Sequence, residues 1–131
     1  METLRLRIKI SVLWIFMAVA MSAHSVLAFM EPGAMEELAA MQMGAGMFLF
    51  MALFWLIPLI MAFLSLTLKD LADRRANIVL GIVFTVLNIF HLAEHLAQAS
   101  VHQILIIGST VVVTALIAWY AWKWPKPEAE S

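Results

Sequence analysis

Residues 38–68 read LAAMQMGAGMFLFMALFWLIPLIMAFLSLTL, without a single Asp, Glu, Lys or Arg. A helix rising about 1.5 Å per residue needs about 20 apolar residues to cross about 30 Å of hydrocarbon. This run exceeds that length. Residues 10–30, 76–93 and 95–122 are free of the same four residue types. The run at 76–93 spans once its polar end reaches the interface. A transmembrane β-barrel needs short segments of alternating polarity, and the sequence has none. The pattern predicts an all-α membrane protein, a single integral membrane domain over 1–131. Its four spans are expected at about 9–29, 44–68, 76–96 and 103–122, with a short amphipathic surface segment at 34–42.

Composition agrees. Of 131 residues, 64% are hydrophobic and 13% charged, against roughly half and a quarter in soluble domains. Four spans leave no room for a soluble domain or a nucleotide-binding loop. No basic surface is large enough to suggest nucleic acid. There is no cysteine, which removes disulfides and thiolate chemistry.

The charges orient the chain. Arg5, Arg7 and Lys9 precede the first run, Lys69, Arg74 and Arg75 separate the second from the third, and Lys123 and Lys126 follow the fourth. The other two connections contain no Lys or Arg. Short loops rich in these residues stay cytoplasmic, so both termini are expected inside and the bundle is expected to run up-down-up-down across the membrane. Glu31, Glu36, Glu37 and Glu94 fall on the outer side. The first run has a second reading. Its basic start, apolar centre and Val26 and Ala28 also fit a cleaved secretory signal. Its length to Met30 favours a retained helix.

Local signals divide the spans. Pro32 and Gly33 break the first helix after Met30, and Glu36 and Glu37 of the surface segment face water. Pro58 lies inside the second span and leaves the Phe54 carbonyl without its usual amide. Lys69, Asp70, Asp73, Arg74 and Arg75 read as a short loop with a local ion-pair cluster. Trp119, Tyr120, Trp122 and Trp124 suit the inner headgroup boundary, and Pro125–Ser131 reads as a polar tail.

Met30-Glu31-Pro32-Gly33, Ile57-Pro58, Arg75-Ala76-Asn77-Ile78 and Ala118-Trp119-Tyr120-Ala121-Trp122-Lys123-Trp124-Pro125 occur in that order. In this the chain resembles a family of small bacterial integral membrane proteins classed as a domain of unknown function. The resemblance covers nearly the whole chain. It implies a prokaryotic inner membrane and a retained first helix, and it brings no activity and no functional residues.

Chemistry concentrates in the third span. Asn77, Gly81, Thr85, Asn88, His91 and His95 recur at three- and four-residue steps and so share one helical stripe. Asn88 and Thr85 are expected in the bundle interior, bonding to neighbouring helices. A polar wall of a ligand path is the functional alternative. His91-Leu-Ala-Glu94-His95 matches H-x-x-E-H, the inverzincin pattern. His91 and His95 stand one turn apart and suit one metal, with Glu94 handling a proton. No third ligand can be named from the sequence, and a helix end reaching the polar interface explains the same residues.

All four histidines, His24, His91, His95 and His102, map to the outer half, as do Met43 and Met47. Imidazole with thioether suits copper, so an outward-facing copper or haem site is an alternative, although methionines at four-residue steps are also ordinary packing. Transport by an oligomer is a second alternative. Coupled transport normally wants an acidic residue deep in a span, and the closest, Glu94, sits near an end. Glycines 44, 46, 81 and 108 are candidates for close helix contact. The preferred reading is an accessory, structural or lipophile-binding bundle with no catalytic residues and no cofactor. Its surroundings are the lipid bilayer and either a membrane-protein partner or further copies of itself.

Overall fold

The computed structural model describes residues 2–97 and 100–125. Within them the chain is all-helical. It forms α1 (Glu2–Met30), α2 (Ala34–Ala40), α3 (Ala45–Thr67), α4 (Asp70–Leu96) and α5 (Val101–Trp122). All but α2 are long and apolar enough to cross a membrane. Lys126 and the rest of the expected polar tail beyond Pro125 lie outside the described residues.

Two helices begin earlier than the charge-free runs suggest. α1 starts at Glu2, so Arg5, Arg7 and Lys9 ride on helix, and α4 starts at Asp70 rather than near Ala76. Asp70 and Asp73 occupy the first turn of α4, where carboxylates oppose the positive end of the helix dipole. That turn is therefore helix and not loop. Between α1 and α2, Gly33 adopts φ 81°, a left-handed conformation that glycine enters without a Cβ penalty.

Packing does not follow chain order throughout. α1 packs against both α3 and α5, and α5 packs against α4, but α3 and α4 scarcely touch. Only Leu68 and Lys69 separate those two helices, so they meet at the turn and diverge beyond it. The bundle is thus a row α3–α1–α5–α4, folded round and left open on one side. α1 and α4 meet across it through side chains: Trp14 stands edge-on to Phe84, ring centroids 5.5 Å apart. Ile10, Trp14, Met17, Met61, Phe84, Val113 and Ile117 make the apolar core.

α4 and α5 approach closely at Gly81. A Cβ on Gly81 would stand 2.9 Å from the backbone nitrogen of Ala118, so this position accepts only glycine without movement. At Gly44, Gly46 and Gly108 a Cβ would meet nothing within 4 Å, and those glycines serve no such contact.

One end of the bundle gathers the starts of α1 and α4 with the ends of α3 and α5. There Arg7 pairs with Asp70, and its Nη1 lies 3.2 Å from Oδ2 of fully buried Asp73. Asn77 donates to Asp73 Oδ1 at 2.7 Å and accepts from Trp14 Nε1 at 2.7 Å. Ser65 bonds the same amide, and Ser11 donates to the Ala62 carbonyl. Arg74 donates to the carbonyls of Ala121 and Trp122. The Arg7 guanidinium stacks over Trp124, and the Lys9 and Lys123 ammonium groups lie over Tyr120 and Trp119. The buried polar side chains at this end, Ser11, Ser65, Asp73 and Asn77, are joined to one another, to Trp14 and Arg7, or to backbone carbonyls.

Candidate functional site: a histidine cluster beside an apolar cavity

The opposite end is built differently. Where α3 and α4 diverge, a cavity of about 440 Å³ opens between α1, α3 and α4. Met21, Phe50, Met51, Phe54, Trp55, Leu87 and Phe90 supply its apolar walls, and His24, Ser25, His91 and Glu94 its polar ones. On α3 the wall residues 50, 51, 54 and 55 recur at three- and four-residue steps, the spacing of one helical face. Two polar atoms of the wall, Trp55 Nε1 and His91 Nδ1, are buried without a hydrogen-bond partner.

His24 from α1 joins His91 and His95 from α4 at the cavity's head. Their ligating nitrogens all lie within 4.8 Å of one another, and their rings meet edge-on with centroids 4.6 to 5.0 Å apart. His91 and His95 come together through the one-turn spacing on α4. His24 arrives by tertiary packing, which no local spacing reveals.

Two of the rings are held by their surroundings. Buried Gln103 donates its amide nitrogen to the His24 carbonyl at 3.2 Å, which turns its Oε1 toward His24 Nδ1 at 2.5 Å. An amide oxygen only accepts, so Nδ1 carries the proton and the His24 Nε2 lone pair is free. His95 Nδ1 lies 3.0 Å from the His91 carbonyl, again an acceptor, so its Nε2 is free as well. This is the outer-shell bonding that fixes tautomer and orientation in histidine ligands. His102 stands apart, paired with Glu31 at 3.2 Å where the α1–α2 turn meets the start of α5.

Glu94 lines the cavity without belonging to the three-histidine group. Met43 lies in the stretch before α3, and Met47 is on α3 but half exposed, one turn short of the wall. Neither is among the residues that line the cavity; Met21 and Met51 supply its thioethers. Asn88 is fully buried, its amide nitrogen 3.4 Å from both the Thr110 carbonyl and Thr114 Oγ1. Thr85 is half-buried and spends its hydroxyl on the Gly81 carbonyl of its own helix. Sequence reasoning placed Asp73 in a loop and so missed its burial. The signal was the neighbouring Asn77, one turn on, already read as part of a buried stripe.

A family model described as a family of unknown function (DUF6326) matches residues 3–131. The chain belongs to this family, in keeping with the resemblance read from its motifs, and the match takes in the first helix. No curated protein and no solved structure matches the chain.

Proposed function

We propose that this DUF6326 protein is a plasma-membrane protein of four alternating spans, with both termini cytoplasmic. In this reading it holds a lipophilic molecule in the cavity between α1, α3 and α4. Membrane residence draws support from an inverted distribution of polarity. Ser65, Asp73, Asn77, Asn88, Thr110 and Thr114 are fully buried, while Phe48, Phe63, Phe90, Val101 and Leu105 are more than half exposed. Water-soluble chains avoid so much exposed apolar surface, and lipid favours it with polar side chains turned inward. Orientation rests on the gathering of the Lys and Arg residues toward one end. That puts the cavity and its histidines toward the outer face.

The observation that carries the ligand reading is the pair of unpartnered buried polar atoms in an apolar wall. A buried donor left unbonded costs about 1–3 kcal/mol, and a hydrogen-bond acceptor on a bound molecule removes that cost at Trp55. Concave, mostly apolar sites with a few polar groups are the usual form of small-molecule sites. The ligand class is therefore an apolar molecule bearing an acceptor oxygen. The test is to purify the protein in mild detergent, extract it with organic solvent and weigh the co-purifying small molecules. One such molecule should be enriched near equimolar ratio and depleted in Trp55→Phe. A wild-type extract matching that of an unrelated four-span protein would refute the reading.

A further inference from the structure

We propose that His24, His91 and His95 form a binding site for one imidazole-preferring transition-metal ion, with zinc(II) as the reference ion. This inference stands on the histidines and needs no lipophile in the cavity. Three features carry it. One ring nitrogen from each of three histidines on two helices already lies within 4.8 Å of the other two. Tetrahedral zinc with metal–nitrogen bonds of about 2.0–2.1 Å sets its ligands about 3.4 Å apart, so the rings need to close by little more than about an ångström. His91 has the freedom to do so, because its Nδ1 is held by no hydrogen bond.

The second feature is the bonding behind the cluster. The Gln103 Oε1 and the His91 carbonyl accept hydrogen bonds from the Nδ1–H groups of His24 and His95, which leaves both Nε2 lone pairs for a metal. Edge-to-face packing alone would be served as well by phenylalanine, which needs no buried glutamine to fix a tautomer. The third is the ligand count. Three neutral imidazoles leave a tetrahedral ion one open position, the pattern of zinc sites that present a water or substrate rather than purely structural ones. Glu94 and Ser25 line the cavity with His24 and His91, close to where an exogenous ligand would enter.

The full-length protein in mild detergent, stripped with a chelator and freed of lipid, should be titrated with zinc(II) by calorimetry. Cobalt(II) serves as a spectroscopic reporter of ligand number. One ion should bind per chain, and the cobalt complex should show the intense visible bands of a four-coordinate site. His91→Gln with His95→Gln should abolish binding, and Gln103→Leu, which removes no ligand, should weaken it about 10- to 100-fold. His102→Gln, outside the cluster, should leave it unchanged. If the double histidine variant fails to fold, Gln103→Leu and the cobalt spectrum decide alone. Absence of saturable zinc binding by wild type, or equal affinity in wild type and Gln103→Leu, would overturn the proposal. Because the titration uses lipid-free protein, its result is independent of whether a lipophile is found in the extract.

Discussion

The two ends of this bundle handle buried polarity in opposite ways. At the Arg7 end, Trp14, Ser65, Asp73 and Asn77 satisfy one another, and Asp73 Oδ2, which accepts no aligned hydrogen bond, is held by the Arg7 charge at 3.2 Å. At the cavity end, Trp55 Nε1 and His91 Nδ1 are buried and unbonded, and Asn88 Oδ1 is in the same state one residue from the wall at Leu87. A closed network fixes how helices pack, whereas polar atoms left unmet beside a cavity are what the proposed ligand would satisfy. The first end is the frame of the fold, and the second is the end to which the binding proposals are assigned.

Breaking the frame should have the largest effect. Arg7→Met leaves Asp73 buried without its counter-charge, and loss of one partner of a buried ion pair costs about 3–5 kcal/mol. Chemical denaturation in detergent should report that loss, and adding Asp73→Leu should restore much of it, because the charge left behind is what destabilises. An Arg7→Met protein as stable as wild type would mean that the network does not hold the frame.

Next comes Gly81→Ala, which forces α4 and α5 apart at the Ala118 backbone. Overpacking of this kind costs about 1–3 kcal/mol, while Gly108→Ala, in open space, should be neutral in the same denaturation assay. Asn88→Leu should cost less, about 0.6 kcal/mol, the average for a hydrogen bond between membrane helices. Its 3.4 Å bonds are long, and its removal also relieves an unmet Oδ1. Smallest of all, Val83→Leu and Val86→Leu, on the exposed flanks of the stripe, should stay within about 0.5 kcal/mol.

The contrast also marks what the sequence could reveal. Charge-free runs located the four long apolar helices because an uninterrupted run of about 20 apolar residues is the length a bilayer crossing requires, and three- and four-residue steps gathered Asn77, Gly81, Asn88 and His91 onto one stripe. Both signals are local. The charges around Asp73 look solvated and read as loop, and only the arrival of Arg7 from α1 explains its burial. His24 joins His91 and His95 for the same kind of reason: α1 lies between α3 and α5 and meets α4 across the bundle. The cavity was equally hidden. Two helices joined by a short turn are expected to pack together, and here α3 and α4 part.

Native mass spectrometry of wild type, Leu87→Trp and Asn88→Leu, released gently from detergent, tests the division of labour most directly. Leu87→Trp projects a larger ring into the cavity and narrows it, whereas Asn88→Leu alters the buried stripe beside it without lining it. Wild type and Asn88→Leu should carry a bound small-molecule adduct, and Leu87→Trp should fly without it at unchanged charge-state distribution. An adduct retained equally by all three proteins, or absent from wild type, would contradict the assignment of this end to binding.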